Sequence, residues 1–120
     1  MYRPDNLRAF CRLLRAAADP VRLRLLNCLE VRPACVCELM QATGLPQARV
    51  SRHLKDLRES GLVVDRRDAQ WVEYSLVEAD DGTPEACVLA LVRNQLEGAP
   101  QVIEDRRRLA HASRSQTHAA

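Results

Sequence analysis

The sequence predicts a mainly α-helical chain with one β-hairpin, and three observations support this fold class. Apolar residues recur at helical spacing in the first segment, for example at Leu7, Phe10 and Leu14. Further along, two short helical segments are separated by a turn that contains Gly44. Two segments typical of strands follow directly, at 62–66 and 71–76, and the second alternates residue by residue. Helix, turn, helix and hairpin in this order predict a winged helix-turn-helix.

The helices have recognisable start and stop signals. The side chain of Asp19 is suited to accept hydrogen bonds from free amides, and Pro20 fits a first helical turn, so a helix begins there. Gly44 suits the end of the third helix, and Pro46 opens the fourth. The predicted helices span residues 6–18, 21–29, 35–43, 46–60, 85–97 and 102–109.

A hairpin is predicted over residues 62–76, with strands at 62–66 and 71–76. Because it follows the second helix of the helix-turn-helix (about 35–60), we interpret it as the wing. Its basic tip is expected to reach the DNA backbone or the minor groove.

The fifth helix has an apolar arc that is wider than one packing face requires. A chain this short also buries only a modest core, so a second copy is a natural source of buried surface. We therefore predict a homodimer, with dimerisation helices at about 6–18 and 84–97. The expected organisation is one winged-helix DNA-binding and dimerisation domain, residues 1–110, followed by a disordered tail, residues 111–120.

The composition of the 120 residues, with net charge +2 and five cysteines, narrows the function classes. No apolar run approaches the ~18 residues of a membrane span, and no apolar secretory segment is visible at the start. We expect a cytoplasmic protein without membrane contact. In a reducing compartment, cysteines favour ligand, redox or core roles over disulfides. We find no Ser-His-Asp set, phosphate loop or catalytic carboxylate pair in the sequence, and predict no enzyme and no organic cofactor.

Cys35 and Cys37 stand at the start of the third predicted helix. A helix N-terminus lowers the pKa of a thiol, so we expect both to be more acidic than Cys28 or Cys87. Soft thiolates select thiophilic ions. Side chains two residues apart on a helix point about 200° apart, so chelation of one ion by both thiols predicts a distorted helix start. The distortion would disturb the neighbouring DNA-reading helix.

A basic segment covers the second helix of the helix-turn-helix and the hairpin. Between residues 47 and 67 there are six Lys or Arg and three acidic residues, although part of this charge suits a solvated helix face with local ion pairs. The start of a recognition helix usually meets base edges. The residues predicted there are Gln47, Arg49, Ser51 and Arg52. The residues predicted for phosphates or the minor groove are Lys55, Arg66, Arg67 and Gln70.

Five segments together resemble a known family in order and spacing. They are Cys-Val-Cys-Glu-Leu at 35–39, Ser-Arg-His-Leu at 51–54, Leu-Arg-Glu-Ser-Gly-Leu at 57–62, Asp-Arg at 65–66 and Trp-Val-Glu-Tyr-Ser-Leu at 71–76. The likeness is to arsenic-responsive repressors of the ArsR-SmtB family of bacterial metal sensors. The resemblance implies a homodimer that binds an operator of an arsenic-resistance operon. It further implies that As(III) or Sb(III) releases the DNA by binding Cys35 and Cys37.

The third position of the family's cysteine run differs in this chain, where Met40 stands in place of a thiol. The third ligand therefore remains open between Met40, an exogenous group and Cys11. Related cadmium and lead sensors recruit an N-terminal cysteine to the same pair, which is why Cys11 is considered.

Three alternative functions remain at this point. The first is a cadmium-, lead- or zinc-sensing repressor of the same fold, although residues 85–97 lack the His and Asp of a zinc site on that helix. The second is a thiol-redox or persulfide-sensing repressor that uses Cys28 and Cys87. The third is a small thiol oxidoreductase built on the Cys-x-Cys pair.

Overall fold

The computed structural model describes residues 6–114, which form six helices and three short strands. The helices are α1 (Asn6–Ala17), α2 (Pro20–Val31), α3 (Val36–Thr43), α4 (Gln47–Ser60), α5 (Pro84–Leu96) and α6 (Pro100–Ala110). The strands are β1 (Ala34–Cys35), β2 (Val63–Asp68) and β3 (Trp71–Leu76). The predicted fold class is confirmed, because a hairpin directly follows the two helices of a helix-turn-helix.

The predicted start of α2 and end of α3 are both made by the expected residues. Asp19 Oδ1 accepts hydrogen bonds from the backbone N–H groups of Val21 and Arg22, at 2.8 and 3.1 Å. Gly44 has φ 74°, a left-handed conformation that glycine adopts without a Cβ clash. Its N–H donates to the Met40 carbonyl at 2.8 Å, which closes α3.

The sheet has the antiparallel order β1-β3-β2. Strand β1 pairs Ala34 with Tyr74 and Cys35 with Glu73. Strand β1 was not predicted, since a strand of two residues is too short to show alternation. Strand β2 also runs to Asp68, so the predicted four-residue link is a two-residue turn. The third strand brings the start of α3 against the wing.

The main core is aliphatic and draws on α2, α3, α4 and α6. Its fully buried leucines from these helices are Leu25, Leu26, Leu39, Leu54, Leu57 and Leu109. This composition agrees with the low aromatic content of the chain. A second, smaller buried cluster lies apart from this core and contains the candidate thiols.

A buried ion pair holds α6 against the helix-turn-helix. Arg24 Nε and Nη2 donate to the two carboxylate oxygens of Asp105 at 2.8 and 2.9 Å. Arg24 Nη2 also donates to the Thr43 carbonyl, at the end of α3, at 2.8 Å. The two-pronged geometry compensates the burial of the Asp105 charge. α6 is therefore an integral part of the domain rather than an appended helix.

A disordered tail was predicted from residue 111 onward. The first four residues of this segment instead lie against α3 and the wing. Gln41 Nε2 donates to the Ser113 carbonyl at 2.7 Å, and Arg114 forms ion pairs with the hairpin. The small polar composition gave no sign of these contacts. Residues 115–120 lie outside the described residues. Within residues 6–114, no helix combines the length and the apolar character needed to cross a membrane.

Candidate thiol site and DNA-binding surface

Cys35 and Cys37 lie in one buried cluster with the ring of Trp71. Cys35 ends β1 and has extended backbone geometry (φ −86°, ψ 165°), whereas Cys37 lies in the first turn of α3. Only one of the two is therefore helical, and the predicted angle of about 200° between their side chains does not apply. Both thiols are free and almost inaccessible, at 2% and 0% exposure.

The start of α3 is fixed by a buried carboxylate. Glu38 Oε1 accepts a hydrogen bond from the Cys35 N–H at 2.9 Å, as the third residue of a helix does in a capping box. The other oxygen, Oε2, accepts from Arg32 Nη1 at 3.0 Å. Glu38 thus ties the backbone of the first thiol residue to the end of α2.

The helix start does not lower the pKa of Cys35 below its ordinary value, although Cys35 remains more acidic than Cys28, as predicted. Burial raises the pKa of this thiol to about 11, although the positive charge of Arg114 lowers it in part. Glu38 acts in the same direction as burial. Burial likewise raises the pKa of Cys28 to about 12. Desolvation outweighs the favourable field of a helix N-terminus at a site this enclosed.

The candidates for a third ligand lie elsewhere in the chain. Met40 packs against the main core and not in the thiol cluster. Cys11 is exposed on α1, in a shallow groove beside Arg8 and Arg12. Among the residues that the structure describes, no three Cys, His, Asp or Glu side chains are grouped closely enough to hold a metal ion.

The remaining cysteines lie on two helices that pack together. Cys28 is buried on α2, and Cys87 is exposed on α5. Both are free thiols. Cys28 is therefore a core residue, whereas Cys87 lies outside the core.

The predicted DNA-reading residues lie on the start of α4 and on the hairpin. The inward face of α4 carries Val50, Leu54 and Leu57, all fully buried. Ser51 is half-buried, and the other seven predicted residues are exposed: Gln47, Arg49, Arg52, Lys55, Arg66, Arg67 and Gln70. Among these, Arg66 donates to Glu73 across the hairpin at 3.0 Å. Exposure is what base and phosphate contacts require.

A buried polar contact joins the recognition helix to α2. His53 is buried, and its Nδ1 accepts a hydrogen bond from Arg22 Nη1 at 3.1 Å. Burial lowers the pKa of this imidazole. Arg22 also donates to Asp56 at 3.2 Å. These contacts fix the orientation of α4, and the sequence analysis had not assigned Arg22 any role.

Two further site residues escaped the sequence analysis. Trp71 was assigned only to a strand, and Arg114 only to a disordered tail. Both lie at the thiol pair because β1 pairs with β3 and because the chain after α6 returns to the wing. Neither relation leaves a local signal, since the residues are far apart in sequence.

A short helix pair with an exposed basic second helix and a following hairpin defines a winged helix-turn-helix transcriptional regulator. A family model described as "Bacterial regulatory protein, arsR family" matches residues 19–64. This chain also aligns with solved structures at 30% and 32% identity, and it covers 91% and 98% of their length. The chain belongs to the ArsR family of bacterial regulatory proteins.

Curated relatives with known names align over the middle of the chain. The arsenic resistance transcriptional regulator ArsR1 of Pseudomonas putida is 45% identical over 65 residues, covering 53% of this chain and 51% of the relative. The arsenical resistance operon repressor of Escherichia coli is also 45% identical over 65 residues, covering 53% and 56%. The HTH-type transcriptional repressor SmtB of Mycobacterium tuberculosis is 42% identical over 66 residues, covering 55% and 49%. The chain spans about half the length of these relatives.

Solved structures match over a larger part of the chain. The transcriptional repressor BigR from Xylella fastidiosa has a TM-score of 0.67 and 30% identity, covering 80% of this chain and 91% of that one. HlyU from Vibrio cholerae has a TM-score of 0.68 and 32% identity, covering 78% and 98%. A homodimeric winged helix-turn-helix DNA-binding domain from Mycobacterium bovis has a TM-score of 0.65 and 25% identity, covering 83% and 92%.

Proposed function

We propose that the protein is a homodimeric repressor that binds operator DNA and releases it when As(III) or Sb(III) binds Cys35 and Cys37. The observation that carries this proposal is the buried cluster of two free thiols and Trp71, at the junction of α3 and the wing. The names of the relatives from P. putida and E. coli, both concerned with arsenic resistance, support the choice of ligand.

The thiol chemistry suits a trivalent metalloid hydroxide. Two sulfur–arsenic bonds form while two arsenic–hydroxyl bonds break, and each departing hydroxyl leaves as water with one thiol proton. The third position of the arsenic keeps a hydroxyl or takes another ligand. Because the outgoing hydroxyls carry away the thiol protons, the raised pKa of Cys35 does not oppose this exchange.

The site contacts both elements that we assign to DNA binding. Cys35 pairs with Glu73 in the wing, and α3 packs on the recognition helix α4. A ligand held by both thiols needs space next to Trp71, so it displaces β3 or the start of α3. Such a two-state coupling is typically worth ~1–3 kcal/mol, which is enough for release.

The dimer is proposed to form through α1 and α5. The large apolar side chains of these two helices that remain exposed in the single chain are Leu7, Phe10, Leu14 and Leu91. A second copy would cover them, and the homodimeric relative from M. bovis supports this assembly. The proposed domain retains the expected bounds, residues 1–110.

The test is the substitution Cys35→Ser. We expect the variant to bind operator DNA with the affinity of the wild type, because Cys35 lies outside the exposed surface of α4. Arsenite that weakens wild-type binding by roughly tenfold or more should leave the variant on the DNA. Gel-shift titrations of operator DNA, with and without arsenite, measure the affinity of each protein.

The matched control is Cys87→Ser, which removes an exposed thiol from α5. We expect this variant to respond to arsenite like the wild type. If the Cys35 variant leaves the operator at the wild-type arsenite concentration, the proposed ligand site is wrong.

A thiol-redox repressor that uses Cys28 and Cys87 is the second candidate, since α2 and α5 pack together and each carries a free thiol. Burial disfavours the thiolate of Cys28 by raising its pKa to about 12, which makes this candidate weaker. Mass spectrometry after oxidant treatment decides the question. A bond between these two sulfurs, together with loss of operator binding, would favour it over arsenic sensing.

A further inference from the structure

The thiol pair is closed to solvent, so a ligand cannot reach it in the described conformation. Cys35 and Cys37 are 2% and 0% exposed, and they share one buried cluster with Trp71. The Arg114 guanidinium lies over this ring, with its central carbon 5.7 Å from the ring centroid. A cation at this distance from an indole face is held by the ring quadrupole. The segment after α6 therefore lies over the aromatic wall of the site.

Arg114 is held mainly by the wing. Its Nη1 donates to Asp68 Oδ2 at 3.0 Å, and its Nη2 donates to Glu73 Oε2 at 3.2 Å. Glu73 is the strand partner of Cys35. A single side chain therefore joins the end of the described chain to the strand that flanks the first thiol.

The residues just before Arg114 are held by α2 and α3. Gln41 Nε2 donates to the Ser113 carbonyl at 2.7 Å, and the Ser113 N–H donates to Gln41 Oε1 at 3.3 Å. Arg32 Nη2 donates to the Ala112 carbonyl at 3.3 Å, and the same guanidinium holds Glu38. We call residues 111–114 the C-terminal clamp.

We propose that the C-terminal clamp closes the thiol site, and that Arg114 determines the access of thiophilic ligands to Cys35 and Cys37. This inference builds on the proposed function and names how the same site is regulated. Asp68 and Glu73 belong to the wing, so opening the clamp also separates the wing from the segment after α6. The contacts of Arg114 are partly exposed, and such pairs open readily.

The two possible effects of Arg114 on the thiols have opposite signs, which makes the proposal testable. As a cation, Arg114 lowers the pKa of Cys35, so removing its charge alone slows reactions that need the thiolate. As a cover, Arg114 hinders access, so removing it speeds the same reactions. The loss of charge alone therefore cannot account for an acceleration.

The experiment measures alkylation of each cysteine by iodoacetamide, with mass spectrometry and fragment ions to assign the modified thiols. We expect Arg114→Ala to speed alkylation of Cys35 and Cys37 by roughly fivefold, in keeping with the modest stability of exposed ion pairs. Arg107→Ala is the control with the same charge change, since Arg107 pairs only with Glu104 among the described residues. A rate in the Arg114 variant no higher than in this control overturns the proposal.

The outcome is independent of the arsenic assignment, because neither arsenite nor DNA is present in the assay. If alkylation accelerates but arsenite does not release the operator DNA, the proposed role of the C-terminal clamp is supported and the proposed ligand is refuted. If arsenite releases the DNA but alkylation does not accelerate, the proposed ligand is supported and the proposed role of the clamp is refuted. Arg114→Lys, which retains the charge but not the two-pronged contact, should react faster than the wild type as well.

Discussion

At the Cys35 thiol, burial keeps the proton in place at neutral pH, because it raises the pKa to about 11. A divalent cation that binds this sulfur must displace the proton into solvent. Arsenite instead removes the proton as water, through its own hydroxyl. The two classes of ligand therefore differ in how their affinity depends on pH.

We expect the affinity for Cd²⁺ or Zn²⁺ to rise about tenfold per pH unit between pH 6 and 8 from the Cys35 proton alone. The affinity for arsenite should stay nearly constant over the same window, since the window lies wholly below the pKa of about 11. Competition titrations at three pH values measure both slopes. An arsenite affinity that climbs as steeply as that of the cation would contradict the exchange chemistry.

The sequence located the thiol pair but not its surroundings. Two cysteines two residues apart near a helix start are visible in the sequence, as is the methionine that replaces a third thiol. The rise of the Cys35 pKa was missed because it depends on burial, and Trp71 completes the buried cluster around this thiol. Trp71 lies 36 residues beyond Cys35 in the sequence, so no local pattern connects them.

At the scale of elements, the turn of the wing carries strain in one residue. Ala69 has φ 56°, the only positive value for a non-glycine residue among the described residues. The left-handed region is costly for residues with a Cβ, and glycine avoids this at an entropic cost of its own. The wing thus stores a small amount of strain at its tip, next to the predicted DNA contact Gln70.

We expect Ala69→Gly to raise the free energy of unfolding by about 0.5–1 kcal/mol, the difference between the two effects. Thermal unfolding followed by circular dichroism measures the change. Ala110→Gly, at the exposed end of α6, is the opposite case and should lower stability, because glycine weakens a helix. A lower melting temperature in the Ala69 variant would show that the turn is not strained.

The start or end of a helix was predictable where one residue determines it by its own side chain or backbone conformation. Asp19 and Gly44 do so, through a side-chain cap and a positive φ. The strand β1 was missed because its two residues are defined by their partner in β3. The docking of α6 was missed because Arg24 and Asp105 lie on helices that come together only in the folded chain.

At the scale of the whole molecule, an uncovered apolar surface on α1 and α5 accompanies the proposed dimer. Leu91 is 58% exposed and lies on α5. We expect Leu91→Glu to weaken the dimer by at least roughly tenfold, because a buried carboxylate without a partner is strongly disfavoured. Sedimentation at several protein concentrations measures the association.

The control for this prediction is Ile103→Glu. Ile103 is 53% exposed but lies on α6, outside the proposed interface. We expect this variant to remain a dimer and to bind operator DNA normally. If both variants or neither dissociate, α5 is not the specific dimerisation surface.

The position of Trp71 makes its fluorescence a probe of the thiol site. It is the sole tryptophan in the sequence, it shares a buried cluster with both thiol residues, and the Arg114 guanidinium lies over its ring. Its ultraviolet emission is therefore a built-in optical readout of that one location, free of any background from a second indole. A heavy atom arriving between the sulfurs, or a guanidinium swinging away, would each change the emitted light without a label being attached.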